Sequence, residues 1–246
     1  DFDEGVATVT LDSPHNRNAL SRRLVAELGD RIDRAETADA RAIVLRHEGP
    51  AFCAGADLKE RASDDGSIDS APFVDIMRRL MGTERPTIAS VEGAVRAGGI
   101  GLMASCDLVV VRDDVNFALT EVRIGVAAAT ISVPILRRVR AGRIAAAMLT
   151  GEAFTAADAL DMGLVTHVTA DVPARVAALC DGVRAGAPRA VAETKRLLHR
   201  VPTLDVDTAF DEMQRLSEEL FRGPDAAEGM AAFREKRQPV WPSRPD

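Results

Sequence analysis

The sequence predicts an α/β fold built from repeated ββα-like units and followed by a helical C-terminal portion. Three observations carry this. Short β-branched segments alternate with segments of helical period. The connections between successive strands are too long for hairpins. Beyond residue 155 the spacing is helical almost throughout.

Taken in order, 6–11 alternates and is rich in β-branched residues, which reads as a strand. Leu20, Leu24, Leu28, Ile32 and Ala35 recur at helical spacing over 20–37. Ile43, Val44 and Leu45 make 41–47 a short buried strand. A small-residue loop, 49–56, opens onto Asp57-Leu58-Lys59, and 60–71 reads as a polar, turn-rich connection. Phe73, Ile76, Met77 and Leu80 share one face of a helix over 73–81. After Pro86, 87–91 is a second apolar strand. Gly98-Gly99-Ile100-Gly101 then leads into a short helix, 102–106, and a strand, 108–111. Thr155 and Asp158 have the form of a capping box before helix 159–162, with Gly163 as its stop. Amphipathic helices follow at 172–183, 189–198 and 206–221, separated by Pro188, Pro202 and Gly223-Pro224. The last of these carries Phe210, Met213, Leu216, Leu220 and Phe221 and reads as a packing helix. Its spacing is the same whether it packs within the chain or against a neighbour. The chain thus divides into a core, 1–190, and a helical C-terminal segment, 191–246.

Composition excludes several classes. With 246 residues, 46% hydrophobic and 28% charged, the chain is globular and long enough to bury a core without staples. A net charge of -7 argues against a nucleic-acid partner. Cys53, Cys106 and Cys180 are odd in number and far apart, so neither a disulfide framework nor a zinc site is expected, and a reducing, cytoplasmic setting is. The four histidines are scattered, and no metal is expected. The longest apolar run, 127–136, is too short to cross a bilayer, and no basic-then-apolar leader pattern stands at the start, so no membrane partner is expected.

Some motifs are decoys. Gly99-x-Gly101-x-x-Ala104 has dinucleotide-fingerprint spacing, but 92–97 separates it from the preceding strand. Arg137-Arg138-x-Arg140-x-x-Arg143 reads as a solvated helix face, with anion binding as the alternative.

Two small-residue turns, Ala54-Gly55-Ala56-Asp57 and Ala97-Gly98-Gly99, each open a helix. Free N–H groups at helix starts carry partial positive charge, and two such donors converging on one point make an oxyanion hole. Tight backbone packing would use the same residues.

The chain resembles the crotonase superfamily of enoyl-CoA hydratases and isomerases over nearly all its length. Pro14-x-x-x-Asn18-Ala19-Leu20 is similar to its first motif, and 51–60 (AFCAGADLKE) to its oxyanion and adenine segment. Pro86-Thr87-Ile88-Ala89-x-Val91-x-Gly93, Gly98-Gly99 and Cys106-Asp107 resemble the second signature. Leu149-Thr150-Gly151, Gly163-Leu164-Val165 and Glu228-Gly229-x-x-Ala232-Phe233-x-Glu235-Lys236-Arg237 complete it. The resemblance implies a spiral of ββα units and a C-terminal helical segment that assembles trimers, often paired into hexamers. It implies that the N–H groups of Ala56 and Gly98 hold the thioester oxygen of an acyl-CoA. Ala54, Asp57 and Leu58 fall at the adenine, Phe233 and Lys236 in the segment that closes over the CoA. Lys59 falls near a CoA phosphate, a position equally suited to a solvated lysine. No cofactor is implied beyond the CoA carried by the substrate.

Family hydratases use two glutamates. The first position here is Gly101, a lost catalytic site, and the second is Glu121. One carboxylate suffices for a 1,3-proton shift, whereas adding water asks for more. The pattern resembles that of 3,2-enoyl-CoA isomerases, and Ala129 stands where dienoyl isomerases carry a further acid. Isomerisation is therefore favoured slightly. The alternatives are a hydratase drawing its other acid from Asp75, Glu60 or an ordered water, and a catalytically silent acyl-CoA-binding protein. Arg96 and the altered stretch 126–130 both depart from the family at the acyl pocket.

Overall fold

A computed structural model describes residues 1–62 and 69–241. β1 (Phe2–Asp3) and β2 (Val6–Leu11) form an antiparallel pair, followed by α1 (Arg22–Thr37), whose first turn is capped by the Ser21 hydroxyl accepting from Leu24 N–H. Three ββα units come next. The first is β3 (Ala42–His47), β4 (Ala51–Cys53), α2 (Leu58–Ala62) and α3 (Ala71–Gly82). The second is β5 (Thr87–Val91), β6 (Ala94–Arg96) and α4 (Gly98–Ala104). The third is β7 (Leu108–Arg112), β8 (Asn116–Ala118), a 3₁₀ turn (Glu121–Ile124), α5 (Ala129–Arg138) and α6 (Ala141–Thr150). The chain ends with β9 (Ala153–Thr155), α7 (Ala156–Met162), β10 (His167–Thr169), α8 (Val172–Ala185), α9 (Pro188–Arg200), α10 (Val206–Phe221) and α11 (Pro224–Glu235).

Each unit sends its first strand to one sheet and its second to another. The six-stranded sheet runs β1-β2-β3-β5-β7-β10 and the four-stranded sheet β4-β6-β8-β9. Pairing is parallel from β2 to β10 and from β4 to β8, and β1 and β9 pair antiparallel. One ββα unit therefore advances the chain one step along both sheets, which is the spiral expected. All five residues of β5 are buried, as a parallel strand covered on both faces requires. Between the layers lie Phe52, Ile100, Leu102, Met103 and Phe117, each without solvent exposure, and Phe117 stacks on Phe154 at 5.3 Å.

The capping box of Thr155 and Asp158 is present, and Gly163 ends α7 in the left-handed region. Other expectations need correction. β4 lies in a stretch expected as loop, β6 in one to which no element was assigned, and α4 begins at Gly98 rather than at 102. Of the expected connection 60–71, residues 63–68 lie outside the described ones and the first residues belong to α2. Within the arginine run, Arg138 is half-buried rather than fully solvated. Its guanidinium donates to the carbonyls of Ala104 (3.2 Å), Cys106 and Asp107 (3.1 Å), satisfying backbone acceptors at the end of α4. The division at residue 190 falls inside α9, whose Lys195 is buried. Its ammonium donates to Leu80 O and Arg85 O, both at 3.0 Å, and pairs with Asp107 at 2.8 Å. Among the described residues no helix is long and apolar enough to cross a membrane.

Candidate active site

The C-terminal ends of β4, β6 and β8, three neighbouring parallel strands, deliver three turns to one place. Open parallel sheets bind ligands at that edge. Ala56 follows β4, Gly98 follows β6 and Glu121 follows β8. The turns touch. Ala97 N–H donates to Ala118 O at 3.0 Å, tying the second to the third. A Cβ on Gly55 would lie 2.8 Å from that of Ala97 and 3.6 Å from Gly98 N, so the first two meet backbone to backbone.

Asn18 fixes the first turn from outside. It is fully buried and left-handed (φ 54°). Its side-chain oxygen accepts from Ser13 N–H at 2.7 Å, and its amide donates to Glu48 O at 2.9 Å and Ala51 O at 2.8 Å. That arrangement lets Arg17 O accept from Ala54 N–H and Gly55 O from Leu20 N–H. The sequence showed Asn18 only as a motif letter; its burial is what reveals the role.

Among the described residues, neither Ala56 N–H nor Gly98 N–H is used in a turn, cap or loop hydrogen bond. Gly98 is the first residue of α4, where an N–H has no partner within the helix. Ala97 before it is held at φ 46°, ψ -118°, a conformation that costs an alanine about 1–3 kcal/mol and that strained sites retain. A side chain at 98 would collide with Leu20, its Cβ 2.7 Å from Cδ1, and would fill the space towards the Phe73 ring.

Glu121 opens the 3₁₀ turn, half-buried, with one carboxyl oxygen buried and, among the described residues, without a hydrogen-bond partner. Burial pushes its carboxyl above the usual carboxylate range. Two residues on, Arg123 donates to Thr150 O at 3.0 Å and lies against Gly151, where a Cβ would meet its Nε at 2.8 Å. The turn that presents Glu121 is thereby anchored to the end of α6.

Gly101, three residues after Gly98, carries no acid, and a Cβ there would lie 2.3 Å from Ile131 Cγ2. Of the other acids considered, Glu60 accepts from Arg22 N–H at 2.9 Å and Asp75 is exposed. Asp57 caps α2, accepting from the N–H groups of Lys59 (3.1 Å) and Glu60 (3.2 Å) and from Asn16 (3.2 Å). These bonds, the Glu60 N–H foremost, hold its carboxyl below the usual range. Ala54 is half-buried, and Leu58 and Lys59 are exposed beside it. Phe233 on α11 and Lys236 at its C-terminal cap stand apart, both exposed, and among the described residues no hydrogen bond or ion pair links Lys236 to the 54–59 turn. Arg237 grips Glu228 by both oxygens (2.6 and 2.9 Å), which holds the Glu228 carboxyl down at about 2 and fixes the end of α11. Arg96 turns back along the sheet edge, donating to Val95 O (2.9 Å) and Asn116 O (2.7 Å).

The sequence matches the enoyl-CoA hydratase/isomerase family model over residues 1–244. The chain belongs to the enoyl-CoA hydratase/isomerase family. An enoyl-CoA hydratase from Mycobacterium smegmatis of known structure is 34% identical and superposes with a TM-score of 0.90, covering 98% of this chain and 97% of that one. Enoyl-CoA hydratase EchA19 of Mycobacterium tuberculosis is 31% identical over 96% of this chain and 92% of its own. The human enoyl-CoA hydratase domain-containing protein 3, also of known structure, gives a TM-score of 0.92 at 27% identity, covering 98% of each chain. The spiral is thus the crotonase fold, and the protein is an acyl-CoA enzyme of the hydratase/isomerase family.

Proposed function

We propose that the enzyme holds an acyl-CoA thioester oxygen between the N–H groups of Ala56 and Gly98 and moves a proton with Glu121. One observation carries this reading: among the described residues, a carboxyl with a buried, unpartnered oxygen stands at the edge where two turns present unused donors. With a 3-enoyl-CoA, Glu121 takes a proton from the α carbon. The C–H electron pair delocalises onto the thioester oxygen, where the two donors stabilise the dienolate. The same carboxyl returns the proton to the γ carbon, giving the conjugated 2-enoyl-CoA. Isomerisation is favoured over hydration because position 101 supplies no second acid.

The CoA end follows the exposed side chains. Ala54, Asp57 and Leu58 border the adenine, Lys59 meets a phosphate, and Phe233 and Lys236 of a neighbouring subunit close over it. α10 buries none of its own residues, which supports a homotrimer or a dimer of trimers. No cofactor is needed besides the CoA of the substrate.

Glu121→Gln tests the mechanism. Turnover should fall by about a hundredfold or more, the usual worth of one acid–base group, while acyl-CoA binding persists. Unchanged turnover would overturn it. The hydratase reading is favoured by the names of the relatives. Loss of conjugation on trans-2-enoyl-CoA would establish it; appearance of conjugation from 3-enoyl-CoA establishes isomerisation.

A further inference from the structure

Gly98 and Gly101, three apart on α4, share a helix face. The Cα–Cβ direction at 101 runs straight into Ile131 of α5. A Cβ there would lie 2.3 Å from Ile131 Cγ2, 2.5 Å from its Cβ and 3.2 Å from its Cα. Rotation about χ1 moves only the first of these atoms, and a helical isoleucine has one strongly preferred χ1. Ile131 is buried in the main core, and α5 begins just after the turn that presents Glu121. The missing acid at 101 is therefore not an open gap. An aliphatic side chain from the facing helix occupies its place.

We propose that Ile131 is a specificity-determining residue. Resting on the single-carboxylate reading above, it fills the volume in which a second acid/base on α4 would stand, and so limits the site to proton shifts that one carboxylate can run. The substrate class that follows is an acyl-CoA with an unconjugated double bond, rather than one awaiting water.

The steric pairing is tested by stability. Gly101→Ala should lower the melting temperature in the native background and not in an Ile131→Gly background, where alanine is the better helix former. An equal fall in both backgrounds overturns the pairing. Specificity is tested by hydration of trans-2-enoyl-CoA. The pair Gly101→Glu/Ile131→Gly should hydrate at least about tenfold faster than the native enzyme or either single variant, a modest share of what a positioned acid–base group contributes. No gain in the folded pair overturns the proposal. Ile131→Ala keeps the helix and guards against a pair that does not fold: added formate should enter the vacated space and raise hydration saturably, and a formate-independent rate overturns the proposal. Glu121→Gln in the native background separates the two readings. If isomerisation depends on Glu121 but the pair gains no hydration, only the role of Ile131 fails. If Glu121 is dispensable, the underlying mechanism fails.

Discussion

Gly55 packs against Ala97 with no room for a side chain: a Cβ on Gly55 would stand 2.8 Å from the Ala97 Cβ and 3.3 Å from Arg96 O. Gly55 also holds φ at +86°. The contact sets the distance between the two turns that carry Ala56 and Gly98.

Gly55→Ala should therefore act on both stability and chemistry. Left-handed strain alone costs about 1–2 kcal/mol, and the clash pushes the two N–H groups apart. Thermal denaturation should show the first effect, and a fall in kcat at nearly constant acyl-CoA affinity the second. Unaltered kcat would mean that the turns do not act together.

Burial raises the Glu121 carboxyl, so the acid limb of kcat/KM should lie above the ordinary glutamate range. The same shift affects stability. A carboxyl whose native pKa exceeds its unfolded one favours folding only at low pH, and that contribution disappears as pH rises through the native value. Glu121→Gln should accordingly melt higher than the native protein at pH 7 and equally below about pH 4, where both side chains are neutral. Melting curves across that range decide it.

Lys195 and Asp107 form the one ion pair among the described residues in which both side chains are nearly buried, 6% and 11% exposed. Burial alone would raise Asp107, but the contacts with His199 and Lys195 outweigh it and hold its carboxyl below the usual range. Its contribution to stability is full above about pH 4, the unfolded value, and is lost as pH falls through the lower native one. Lys195→Met leaves that charge buried without its cation, at a cost of about 3–5 kcal/mol. The melting temperature should drop by roughly 10 °C at pH 7, and the gap from the native protein should narrow as pH falls and the Asp107 carboxyl becomes protonated.

Asn18→Ala removes three hydrogen bonds and takes from Glu48 O and Ala51 O the donor that Asn18 supplies. We expect a loss of about 2–4 kcal/mol, with chemical denaturation as the measurement. Asn18→Asp should be worse than Asn18→Ala, because a carboxylate would face two carbonyl oxygens.

Four strands of the six-stranded sheet were legible in the sequence, while its short outer strands β1 and β10 and the four-stranded sheet were not. β2, β3, β5 and β7 are runs of five or six residues with a recognisable apolar pattern. β4, β6 and β8 have three residues each, too few to display a period of two. Ala51-Phe52-Cys53 among glycines reads as loop until its partner Ala94-Val95 is seen. Among the strands that were missed, β4, β6 and β8 carry the site. Its residues were nevertheless named, because the turns beyond those strands keep a family pattern that short strands do not. Arg138 and Ile131 were illegible for a different reason. Both lie on α5, one a half-buried arginine in a run of exposed ones and the other an isoleucine among several apolar neighbours, and the facing α4 distinguishes them.

The sixteen residues of α10 include none that is buried, and Val206, Phe210 and Phe221 are 69–72% exposed. A helix so bare draws little from its own chain beyond α11, and its folding is linked by mass action to whatever covers it. Melting temperature should then rise with protein concentration, and dilution should unravel α10 and α11 ahead of the sheets. Phe233 and Lys236 would go with them. Under the proposed mechanism, grip on the CoA handle would become a matter of how much enzyme is present, while the proposed proton transfer at Glu121, carried on the turns beyond β4, β6 and β8, would not.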